Sequence, residues 1–239
     1  MRVSTLEKKQ IEMEERINKH AEELGLTKYK LKPITDGVSD ISGYLASDSK
    51  IMWILKEPWG NITPTGIVRS FDDWSSFPDL FQNDDIWHDE RMWQVMIQVT
   101  YAIHNKKKWT ELKYIENNQE MIDELKKIAY INLSKMPGKK DSPANHLKEC
   151  YPKWKDITLD QIKLYNPDII IFGNTFDFFK EDLKITTTPK RTTSRRWYTN
   201  LYKENNRIYI DAYHPSRKGG EDGSHDYVTS IVNAVRKIM

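Results

Sequence analysis

Cysteine is almost missing from this chain: Cys150 is the only one among 239 residues. An internal disulfide is therefore excluded, and a cysteine-based metal or iron–sulfur site is not expected. Long apolar runs are missing too. The longest aliphatic stretches reach about five residues, against the roughly 20 needed to cross a bilayer. The first twenty residues, MRVSTLEKKQIEMEERINKH, carry too many charges for the apolar segment of a signal peptide. Net charge is nearly absent at +2, so composition by itself announces no nucleic-acid partner. The six histidines are scattered, none at ligand spacing from another, and neither a metal nor a cofactor is expected. Internal repeats and low-complexity tracts are not seen. With 38% hydrophobic and 30% charged residues, the expectation is a soluble, cytoplasmic, folded protein rather than a disordered one. The length suits one domain, residues 1–239, with an irregular and helical insertion at about 60–125.

Charge is unevenly spread. Seven acids (Asp72, Asp73, Asp79, Asp84, Asp85, Asp89, Glu90) face a single Arg91 between residues 72 and 91. From 184 to 218 there are nine Lys or Arg against two acids, interleaved with Trp197, Tyr198, Tyr202, Tyr209 and Tyr213. Bases and phosphates together favour that mixture; a solvated basic loop accounts for it equally well.

Hydrophobic periodicity sets out the elements. Leu6, Met13, Ile17, Ala21 and Leu24 mark an amphipathic first helix. KIMWILK (50–56) reads as a buried strand, because its apolar run is continuous rather than alternating. Residues 60–88 read as an irregular loop, and 89–105 as a helix apolar nearly all round. Met121, Ile122, Leu125 and Ile128 give a helix leading into a second strand, IAYINLSK (128–135). SPANHLKECYPKW reads as a loop or short helix, followed by a helix that Asn166-Pro167 stops. DIIIFGN (168–174) is the third strand and RIYIDAYHPSR (207–217) the fourth, with a last helix through Val228, Ile231, Val232, Val235 and Ile238. The resulting expectation is an α/β protein, a three-layer αβα sandwich around a central, mainly parallel four-stranded sheet.

In such a sheet the carboxyl ends of parallel strands share one edge, where ligands bind. Those ends carry Glu57, Asn132, Asn174 and His214. Each also has a purely structural reading. Glu57 can accept N–H groups of its own turn, Asn132 can satisfy buried backbone, Asn174 can cap the helix that follows, and His214 can be an ordinary loop histidine.

Taken in order, ILKEPWGN, YINLSKMPG, NPDIIIFGN and AYHPSR resemble the four motif stretches of the uracil-DNA glycosylase superfamily. The resemblance covers about 35 residues and implies that superfamily's fold, in a branch without the iron–sulfur cluster. It also implies hydrolysis of the N-glycosidic bond of a flipped uracil or other deaminated base, hence DNA repair by base excision. Glu57 would orient water and face the cationic sugar, and His214 would hydrogen-bond the departing base. Asn132 would pair with the base edge, with Phe71, Trp59 and Pro58 completing the base pocket. Ser216, Arg217 and Lys218 would press on the DNA strand, with Lys190, Arg191, Arg195 and Arg196 as further phosphate contacts. The expected partner is DNA containing a damaged base, with no membrane involved, and the expected state is a monomer. The chain departs from the motifs in three places: Leu55 stands where they have Gly, Glu57 is one methylene longer than Asp, and Trp59 replaces Tyr or a small residue. These departures support an alternative, a catalytically silent nucleic-acid or nucleotide-binding protein. A third reading is an enzyme acting on a small nucleoside or nucleotide, with 60–110 as its lid.

Overall fold

The computed structural model describes residues 1–27, 32–58, 61–62, 68–69, 76–82, 85, 91–138, 144–193, 197–217 and 221–238, with backbone alone at 61–62, 68–69, 117, 217 and 221–223. The strands among them are β1 (Gly37–Val38), β2 (Ile51–Leu55), β3 (Asn61–Ile62), β4 (Val68–Arg69), β5 (Ala129–Asn132), β6 (Ile169–Gly173), β7 (Lys190–Thr193), β8 (Tyr198–Glu204) and β9 (Arg207–Ala212). The helices are α1 (Val3–Glu23), α2 (Ile41–Ala46), α3 (Phe77–Leu80), α4 (Arg91–His104), α5 (Gln119–Ile122), α6 (Ala144–Tyr165), α7 (Phe176–Phe179) and α8 (Glu221–Arg236). No described helix is long and apolar enough to cross a membrane.

The main sheet has seven strands in the order β1-β5-β2-β6-β9-β8-β7. Its centre, β5-β2-β6-β9, is parallel throughout and consists of the four strands expected from the apolar runs. The expectation of four strands falls short at both edges, where β1 pairs antiparallel with β5, and β8 with β9 and β7. β7 and β8 form a hairpin inside the basic, aromatic stretch, which is therefore not a plain loop. β3 and β4 make a separate two-stranded ribbon.

All five residues of β2 are buried, and so are all five of β6, because both faces of the sheet are covered. Their side chains alternate between two cores. Ile51, Trp53, Leu55, Ile169, Ile171, Ile208 and Ile210 pack with α4 and α8. Met52, Ile54, Ile170, Phe172 and Tyr209 pack with α1, α2, α6 and α7 on the other face. α1 then runs along α6, where Met13, Ile17 and Ala21 meet Trp154 and Ile157. α4 carries ten buried residues, so this part of the expected insertion belongs to the main core. α6 continues unbroken through Pro152, whereas the sequence pattern suggested a loop or short helix followed by a separate helix.

One polar cluster lies inside this frame. Asp36 and Lys135 are fully buried and joined at 2.8 Å. Asp36 also accepts the Asn132 N–H at 2.7 Å and the Gln161 amide at 2.7 Å, while Lys135 donates to the Asn132 carbonyl at 2.7 Å. Burial pulls the Lys135 ammonium below its ordinary range, against the opposing pull of Asp36. Removing one member of such a pair strands the other without solvent. Lys135→Met is expected to lower the unfolding free energy by about 3–5 kcal/mol. The Asp36→Asn, Lys135→Met double variant should lose less than the two single losses added together, read by urea unfolding of all three proteins.

Candidate functional site

The registers place Asn132, Leu55, Gly173 and Ala212 in one row across the carboxyl edge of the parallel strands. Three strand spacings of about 4.8 Å put the ends of the row roughly 14 Å apart. Between β2 and β6 the chain reverses its direction of travel across the sheet, the place where open α/β sheets form their ligand crevice. Each expected strand-end residue lies on this edge, but the side chains do not all point the same way.

Asn132 is completely buried. Its Oδ1 accepts from the Tyr130 hydroxyl at 3.4 Å, while its Nδ2 has no hydrogen-bond partner. The side chain therefore does not satisfy buried backbone, as its structural reading had it. A buried, unmatched amide donor costs about 1–3 kcal/mol. Its backbone is fixed on both sides by Asp36 and Lys135.

His214 follows β9. The Ser216 backbone N–H donates to its Nδ1 at 3.3 Å, and the Ser216 hydroxyl lies 2.8 Å from the same nitrogen. An Nδ1 that accepts an N–H carries no proton, so the neutral ring keeps its proton on Nε2 as a donor. The His214 backbone and the Pro215 ring lie over Gly173, where a Cβ would also run into the Leu55 side chain. The Leu55 side chain thus lies against Gly173, on the row between the strand end that bears Asn132 and the one that leads to His214.

Glu57 turns elsewhere. Beyond the sheet the chain after β2 stays hydrogen-bonded to the chain after β5: Leu133 and Ser134 donate to the Leu55 and Lys56 carbonyls at 2.8 and 2.9 Å, and Gly138 to the Pro58 carbonyl at 2.8 Å. Gly138 lies against the Glu57 carboxylate so closely that a Cβ there would overlap it. The Glu57 side chain is only 3% exposed, and its Oε2 lies 3.0 Å from Nε2 of His146. The same nitrogen lies 3.4 Å from Sγ of Cys150. His146 and Cys150 stand four residues apart on α6, hence on one face of the helix. The three side-chain donor atoms all lie within 4.8 Å of one another, a set able to hold a metal ion. Burial pushes the Cys150 thiol up, the Glu57 carboxylate adds to this, and Lys153 and a Ser134 hydrogen bond oppose it. The thiol is thus not an activated nucleophile.

Asn174 is exposed, adopts a left-handed backbone (φ 62°), and does not cap the next helix. Thr175 takes the N-cap position and donates instead to the Ile54 carbonyl at 2.8 Å. Pro58 is buried beside the edge and Ser216 is exposed. Lys190 and Arg191 are exposed on β7. The Arg191 guanidinium lies 4.3 Å from the centre of the Tyr198 ring, which meets Tyr213 edge-on at 4.9 Å. This row of cation and rings leads to His214. Trp59, Phe71, Arg195, Arg196 and Lys218 lie outside the described residues, as does the side chain of Arg217. His146, Cys150 and Gly138 were not anticipated; the one sequence signal was the i, i+4 spacing of His146 and Cys150.

The overlap at Gly138 yields a direct test. Gly138→Ala should cost about 1–3 kcal/mol of stability by displacing the Glu57 carboxylate. In a Glu57→Ala background the same change should cost much less, as read from thermal unfolding of the double-mutant cycle. When the chain was compared with known proteins, no family model and no curated protein matched it.

Proposed function

We propose that the carboxyl edge binds a nucleobase and that the chain is a DNA glycosylase-like hydrolase of N-glycosidic bonds. The observation that carries this reading is Asn132: a completely buried side chain with an unmatched amide donor, held rigidly at a strand end. An amide offers a donor and an acceptor side by side, as the edge of a flipped base requires. His214 supports it from the far end of the row. A neutral imidazole donating from Nε2 suits a carbonyl oxygen that gains negative charge as the base departs. Glu57 starts on the same edge but faces His146 on α6, so its part in orienting water and balancing the cationic sugar requires the carboxylate to swing from that face toward Asn132. Arg191, Tyr198 and Tyr213 offer stacking and phosphate contact beside it.

A second reading, a silent nucleic-acid or nucleotide binder on the same frame, is favoured by one observation. The Leu55 side chain lies against Gly173, on the stretch of the edge between Asn132 and His214 where a base would have to sit. The two readings separate in one assay on labelled oligonucleotides carrying uracil, hypoxanthine or xanthine. Under the glycosylase reading, base release falls about 10²–10³-fold in His214→Ala. It falls about 10²–10⁴-fold in Glu57→Gln. Release is lost in Asn132→Ala, and Leu55→Gly increases it. If no base is released from any of the three while the DNA still binds in a salt-sensitive manner, the binder reading stands and the hydrolase reading falls.

A further inference from the structure

We infer that Glu57, His146 and Cys150 form a binding site for a borderline divalent transition metal, with zinc the best match. The inference does not rest on the glycosylase reading, because metal binding is measured without any substrate. It rests on where the three donor atoms converge. Oε2 of Glu57 lies 3.0 Å from Nε2 of His146, and Sγ of Cys150 lies 3.4 Å from that same nitrogen. In an acid–histidine–thiol relay the acid would take one ring nitrogen and the nucleophile the other. Here both crowd onto Nε2, which has at most one proton to share between them. A cation at the centre of the three satisfies all three donors at once.

The dimensions agree with this. Tetrahedral zinc with bonds of about 2.0–2.3 Å to oxygen, nitrogen and sulfur separates its ligand atoms by roughly 3.3–3.6 Å. Two of the observed separations lie within a few tenths of that range, and all are under 4.8 Å. The mixed carboxylate, imidazole and thiolate set excludes the hard-cation sites of calcium and magnesium, which are built from oxygen. Three protein ligands leave a fourth position for water or an anionic ligand. The His146 side chain is 48% exposed, which provides an entry path, while Glu57 is 3% exposed. Outer support is present as well. Gly138 packs against the Glu57 carboxylate on the side away from His146, leaving Gly138 no room for a side chain of its own.

The experiment uses the full chain stripped with chelator and then titrated with Co²⁺ and Zn²⁺. One Co²⁺ per chain should bind with a thiolate-to-metal absorption band, and Zn²⁺ should displace it. Zn²⁺ should also raise the unfolding temperature and slow maleimide alkylation of the unmodified protein, whose single thiol reports on this site alone. Cys150→Ser should abolish the thiolate band. His146→Ala should weaken Zn²⁺ at least as much as the 10–100-fold seen when only an outer partner is removed. His225→Ala, outside the cluster, should change nothing, and circular dichroism verifies that each variant is folded. A folded unmodified protein that shows no thiolate band and no slowing of alkylation overturns the assignment. So does Zn²⁺ binding of undiminished affinity in folded Cys150→Ser.

Discussion

A carboxylate and an ammonium lie together at the end of β5 with no solvent reaching either, and much of the site depends on them. Asp36 comes from the segment before β1, Lys135 from the turn after β5, and Gln161 from the middle of α6. The Lys135 carbonyl also accepts the Ile34 N–H at 2.9 Å. Three stretches distant in sequence are thus fastened at one point, and the backbone of Asn132 passes through it. Buried ion pairs contribute less to stability than their geometry suggests, because desolvating both charges costs nearly as much as the attraction returns. What this pair provides is position: it fixes the strand end that holds an unmatched amide.

The centre of the fold was legible because burial on both faces writes itself into sequence as an unbroken apolar run. IMWIL and IIIFG each gave a strand and its placement in the middle of a parallel sheet. α1, α4 and α8 were legible from helical spacing. The edges were not. β1 spans only Gly37–Val38, too short for any pattern. β7 is buried at only one of four positions, so its residues look like a polar loop. Pro152 concealed α6, since a proline inside a helix costs about 3 kcal/mol. Buried Cys150 and Tyr151 before it, and Trp154 and Ile157 after it, hold the helix together.

The site was half legible for related reasons. Glu57, Asn132 and His214 follow from strand ends, and topology brings them to one edge. Their partners follow from helix geometry and close packing. His146 stands 89 residues from Glu57 in sequence, and its pairing with Cys150 becomes visible only once α6 is known to be continuous. Gly138 matters for the side chain it lacks. That signal appears only when the Glu57 carboxylate has been placed against it.

The hydrogen bonds that continue from Leu55–Asn132 out to Pro58–Gly138 join two loops into one stiff tongue beyond the sheet. Leu55 sits at its root on one face of the sheet, and Glu57, farther along, meets α6 on the other. The contacts on the two faces of this edge thus share one hydrogen-bonded support, and a substitution that breaks its pairing removes backing from Leu55 and from Glu57 alike.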